Sequence, residues 1–150
     1  MKIKDGIGIF LAAFMLVCFS FPTGVLISAA SDGDVIIIGN KNVPASSLSK
    51  KDIQNIYLGR KTKWDNNQKI IFVTLKKGEV HKRFIKEYVG KTSAQYRNYW
   101  KKQVFTGKGK APKCFDAEEK LVDYVANTEG AIGYISSGTN KDSVKTISTN

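Results

Sequence analysis

Histidine and cysteine are almost missing from this 150-residue sequence, with one His, His81, and two Cys, Cys18 and Cys114. One imidazole, two thiols and scattered carboxylates match no metal-ligand spacing, so no metal site is expected. A Cys/His nucleophilic pair would need Cys114 and His81 side by side with a third group orienting the ring, and nothing in their spacing argues for that. No enzyme activity and no cofactor are therefore expected, and His81, on a lysine-rich helix, reads as a solvated surface residue. Acid is scarce as well: 13 Asp and Glu stand against 24 Lys and Arg, a formal net charge of +11. The longest strongly apolar run, Ile7 to Phe21, falls short of the roughly 20 residues a spanning helix needs.

What that run does resemble is the apolar part of a secretory leader. Lys2 and Lys4 precede it, Pro22 and Gly24 break it, and Ser28-Ala29-Ala30 places small residues at a cleavage site before Ser31. Residues 1–30 are expected to be a signal peptide, and 31–150 one periplasmic or secreted domain, with an uncleaved anchor as the alternative. Val17 stands where a lipoprotein would carry a small residue before Cys18. Cleavage would remove Lys2, Lys4 and Asp5 and leave a net charge of +10. Cys114 would then be the single thiol, without an intramolecular disulfide partner.

The remaining residues are enough for one domain with a core. Val35-Ile36-Ile37-Ile38-Gly39 and Ile70 to Leu75 read as buried strands. Between them, Leu48 to Trp64 holds a helix with both ends written in. Ser49 and Asp52 form a capping box, Leu48 and Ile53 a hydrophobic staple, and Ile53, Ile56 and Tyr57 one apolar face. Gly59 ends it, and Trp64 is placed to cover the end. A helix over Glu79–Val89 points Val80, Phe84, Ile85 and Tyr88 inward. Thr92 and Gln95 open a further helix with Tyr96, Tyr99, Trp100 and Val104 on one face, read as core. Asp116 with Glu119 caps the last helix, whose Leu121, Val122, Tyr124 and Val125 point inward. Strands follow at Ala131–Ile135 and Val144–Ile147. Alternating strands and helices imply an α/β fold with a mixed or parallel sheet flanked by helices.

Two blocks in this order, Ile56-Tyr57-Leu58-Gly59-Arg60-Lys61-Thr62-Lys63-Trp64 and Glu129-Gly130-Ala131-Ile132-Gly133-Tyr134, resemble the "Ile-Phe-Leu-Gly-Lys … Trp" and "Pro-Gly-Ala-Ile-Gly-Tyr" blocks of the phosphate-binding component of ABC importers. Tyr57 replaces Phe, Arg60 replaces Lys and Glu129 replaces Pro. The resemblance covers about Val35 to Ile135 and implies a type II periplasmic-binding-protein-like fold, here a single lobe. Such proteins hold their ligand between two lobes, and both matched blocks belong to the second. The resemblance implies binding of phosphate or a related oxyanion, and a membrane transporter as partner.

The family's Arg…Ser-Gly-Thr turn, which holds the anion, reads here Thr74-Leu75-Lys76-Lys77-Gly78-Glu79-Val80-His81-Lys82. The hydroxyl pair is missing, and Glu79 brings negative charge to the first turn of the helix. Lys76, Lys77 and Gly78, with Lys108 of the Gly107-Lys108-Gly109 loop, are the candidate ligand-binding residues. Between Lys76 and Lys113 lie twelve basic residues and two acids, Glu79 and Glu87. Such a face suits a solvated surface or an anionic partner. Export speaks against nucleic acid, and no nucleic-acid module is present. Two functions remain: an exported binding protein for an oxyanion, acting alone or as a homodimer that pairs two lobes, and an envelope interaction or adaptor protein that holds no small ligand.

Overall fold

The computed structural model describes residues 33–150, so the expected leader and its cleavage site lie outside the described residues. A six-stranded mixed sheet runs through the domain in the order β2-β6-β1-β5-β3-β4. Its strands are β1 (Val35–Gly39), β2 (Ser47–Leu48), β3 (Ile71–Leu75), β4 (Lys113–Phe115), β5 (Ala131–Ser136) and β6 (Lys145–Thr149). β1 is antiparallel to both β5 and β6, while β3 runs parallel to β4 and β5. The helices are α1 (Lys50–Tyr57), α2 (Glu79–Phe84), α3 (Ser93–Phe105) and α4 (Glu118–Ala126). A π-helical segment, Ile85–Val89, continues α2 and ends at Gly90.

Alternation along β5 assigns the helices to faces. On one face, Gly133 leaves room for Leu121 and Val125 of α4, so close that an added Cβ would lie 2.6 Å from Leu121 Cδ2. On the other, Tyr134 stacks on Phe84 of α2 at 3.7 Å between ring centroids. Tyr57 of α1 meets Phe84 and Phe72 edge-on, and Trp100 of α3 packs against Phe72. Thus α1, α2 and α3 cover one face and α4 the other, because neighbouring strand residues point to opposite sides.

α1 forms where its sequence predicts, with the Ser49 half of the expected capping box in place and the Asp52 carboxylate bonded to the Ser49 hydroxyl instead of the Ser49 N–H. Ser49 Oγ accepts from Asp52 N at 3.1 Å, and Ile53, Ile56 and Tyr57 are buried. The Asp52 carboxylate accepts from the Ser49 hydroxyl at 2.7 Å, a bond that holds its pKa below the ordinary value. Gly59 takes φ +71° and ends the helix. The cover on that end is Trp100 rather than Trp64. Trp100 Nε1 and Tyr96 Oη donate to the Tyr57 carbonyl, and Tyr99 Oη donates to that of Leu58 at 2.7 Å. Trp64 is buried elsewhere, its Nε1 donating to Gly130 O at 3.0 Å. The last carbonyls of a helix need donors, and three aromatic polar tips on α3 meet that need better than the single indole that follows in the chain.

Other expectations hold or shift. Thr92 and Gln95 form the reciprocal capping box. Tyr96 and Trp100 are core, but Val104 is 48% exposed and the next residue, Phe105, 93%. The end of α3 runs past the sheet, so its apolar face outlasts the surface it packs on. Tyr88 and Tyr124 are only half-buried. Asn40 is a buried polar residue that ties layers together. Its Nδ2 donates to Val125 O and Ala126 O, both at 2.9 Å, at the end of α4, and its Oδ1 accepts from Asn42 N.

Candidate functional site

Three chain segments converge at one end of the sheet. β3 ends at Leu75, and Lys76-Lys77-Gly78 turn the chain into α2, with Gly78 at φ +111°, a conformation suited to glycine. β4 ends at Phe115 and leads through Asp116 and Ala117 into α4, with Lys76 N donating to Phe115 O. β5 ends at Ser136, and a turn closes through Thr139 N to Ser136 O. Between them lies a mouth of about 490 Å³, lined by Lys77, Gly78, Glu79, Glu118, Ser136 and Thr139 among others.

The centre of this mouth is a single carboxylate oxygen. Glu118 Oε2 accepts from Ser136 N at 2.7 Å, Ser136 Oγ at 2.9 Å and Thr139 Oγ1 at 2.5 Å. A backbone amide and two hydroxyls aimed at one anionic oxygen make an oxyanion cradle, and the chain's own side chain occupies it. The expected cap of α4 by Asp116 and Glu119 is corrected here. The N-cap is Ala117, which has no side-chain acceptor to offer. Asp116 instead pairs with Lys76 Nζ at 3.0 Å, a salt bridge formed because the turns after β3 and β4 lie side by side.

The four sequence-predicted site residues do not all meet. Lys77 and Gly78 line the mouth, and Lys76 sits at its edge, held by Asp116. Lys108 follows α3, its amide donating to Gln103 O, and is not among the residues lining the mouth. Glu79 is paired with Lys82 one turn along α2. With Asp116, Glu118 and Glu119 also on the lining, carboxylates outnumber Lys77 there, although the chain as a whole is strongly basic.

His81 is buried, not solvated. Tyr134 Oη accepts from Leu75 N at 3.1 Å and lies 2.6 Å from His81 Nδ1. The Tyr134 hydroxyl thus joins the end of β3 to the His81 ring, with the proton of the Oη–Nδ1 bond on either partner according to the ring's tautomer. Burial first, then the nearby Arg97, push the His81 pKa below its ordinary value, and burial keeps Tyr134 protonated by raising its pKa. Cys114 is exposed, its Sγ 3.2 Å from Thr74 Oγ1. His81 and Cys114 line one groove beside α3, yet the bonds just described give each another partner. Among the described residues no group of three or more His, Cys, Asp or Glu could hold a metal ion.

Comparison with known proteins gives this geometry a frame. The family profile of the PBP superfamily domain matches residues 30–150. The chain belongs to the PBP superfamily. Its fold is similar to an ABC-type phosphate transport receptor from Vibrio cholerae, at 22% identity, over 79% of this chain and 46% of that one, with a TM-score of 0.59. A Clostridium perfringens structure assigned as a phosphate ABC transporter substrate-binding protein, with phosphate bound, matches at 26% identity over 79% and 45%, TM-score 0.61. PstS from Borrelia burgdorferi matches at 18% over 79% and 47%, TM-score 0.60. No curated protein matches the sequence. The chain spans about half the length of these structures, and the fold is the PBP-like α/β lobe the two sequence blocks imply.

In this PBP lobe, the two blocks do structural work: Tyr57 and Trp64 are core, and Gly130 accepts the Trp64 indole while Tyr134 holds Leu75 and His81. The cradle residues Glu118, Ser136 and Thr139 escaped the sequence reading. Their signal was present in Ser136-Ser137-Gly138-Thr139, a hydroxyl-rich turn at the end of β5.

Proposed function

We propose that this chain is an exported binding protein of the PBP superfamily whose ligand face is the mouth between β3, β5 and the start of α4, and whose ligand is phosphate or a related oxyanion. The observation that carries the reading is the convergence of Ser136 N, Ser136 Oγ and Thr139 Oγ1 on one carboxylate oxygen. Donors that hold a carboxylate oxygen suit a phosphate oxygen equally well in geometry and charge. The similar receptors that carry phosphate in their names support the ligand class. A membrane transporter is the partner class this role implies, and the periplasm or an equivalent extracytoplasmic space its location.

Glu118 must leave the cradle for a ligand to enter, and Glu79 adds repulsion at the start of α2. Free phosphate is therefore expected to bind the native chain weakly. Glu118→Ala should tighten phosphate binding by about tenfold or more, equivalent to roughly 1.4 kcal/mol. Glu79→Ser should tighten it by a similar factor, and Lys77→Ala should weaken it. Calorimetric titration of phosphate at two salt concentrations checks all three. Unchanged affinity in both carboxylate variants would remove the oxyanion reading and leave the envelope interaction protein.

A further inference from the structure

On the far side of Lys76 from the mouth lies a second cavity, an open groove of about 590 Å³. One wall is a single face of α3, where Ser93, Arg97, Trp100, Lys101 and Val104 recur at helical spacing. The other is the stretch before and within β4, with Pro112 and Cys114, and His81 also reaches the lining. Its surface is mostly apolar, and the two exposed large hydrophobic residues among those described, Val104 and Phe105, both stand on it.

Its charge has one sign. Lys76, Arg97 and Lys101 line the groove, and no Asp or Glu does. Lys76 is engaged by Asp116 from outside, whereas no ion pair joins Arg97 or Lys101 to a carboxylate among the described residues. Arg97 and His81 both reach the lining. One turn before Arg97, the Ser93 hydroxyl is buried without a hydrogen-bond partner. A buried hydroxyl left unpaired is short of an acceptor.

The geometry points to a binding site for a small amphipathic anion, an aryl or alkyl body bearing one carboxylate. The body lies against Trp100, Val104, Phe105 and Pro112. The carboxylate meets Arg97 and Lys101. The volume fits a small-molecule site, and the pattern of apolar lining with a few convergent polar groups is the usual one. Neither a cation nor a small hydrophilic anion uses both halves of the groove.

The test titrates the full chain with 4-phenylbutyrate, with its neutral analogue 4-phenyl-1-butanol, and with butyrate. The acid should bind at one saturable site, at least tenfold more tightly than either analogue. In an Arg97→Gln/Lys101→Gln variant, at two exposed positions, the acid's advantage over the alcohol should vanish. Saturation with 4-phenylbutyrate should also slow alkylation of Cys114, located by peptide mass spectrometry. Equal affinity for acid and alcohol, an unprotected Cys114, or no saturable binding would each overturn the proposal. So would a dimer dissolved by Phe105→Glu in a chain that binds none of the probes, which would give the groove to a second copy.

Discussion

Asn40 and His81 are polar side chains buried in the core. Asn40 satisfies two carbonyls at the end of α4 from inside the fold, and removing it leaves them unpaired. Asn40→Ala should destabilise the domain by about 1–3 kcal/mol in denaturant titration. His81 makes stability depend on pH. Its folded pKa is depressed by burial and by Arg97, so the unfolded state takes up the proton first as pH falls. Its contribution is fully present above about pH 6.5 and is lost as pH drops through the lower folded value. His81→Gln should flatten the stability profile as pH falls below about 6.5, measured against the native chain; an unchanged slope would mean that the ring is not held neutral.

Helix α1 shows how far local sequence reaches. Its cap, apolar face and terminating glycine are all within a dozen residues and were legible as such. Ser49→Ala should cost about 1 kcal/mol, and Ile56→Ala roughly 2–5 kcal/mol. Near-zero loss for Ile56→Ala in denaturant titration would contradict the packing of α1 against the sheet. What the sequence hid was long-range pairing. Trp64 lies next to the end of α1 in sequence and Trp100 within α3, but only the fold decides that Trp100 meets Tyr57 while Trp64 meets Gly130. Likewise the cradle joins Glu118 to residues 18 and 21 positions onward, across a helix and a strand, where no local spacing rule applies. The exposed end of α3 was misread because periodicity marks an apolar face without saying where its partner surface stops.

At the scale of the molecule, the mixed sheet with α1, α2 and α3 on one face and α4 on the other brings two helix starts and a hydroxyl-rich turn to one mouth. The expected export of the chain is tested by mass spectrometry of the native protein, which should find an N-terminus near Ser31; a full-length chain in the membrane fraction would favour an anchor. The mouth itself carries the central claim, that it is an oxyanion cradle closed by Glu118. Amide chemical shifts of Ser136 and Thr139 in a Glu118→Ala variant, followed during addition of phosphate, report on it directly. Saturable movement of these two signals, at phosphate concentrations about tenfold or more below those needed in the native chain, is the expected result. Signals that stay in place while phosphate is added, or that move only in the distant basic stretch around Lys108, would contradict it.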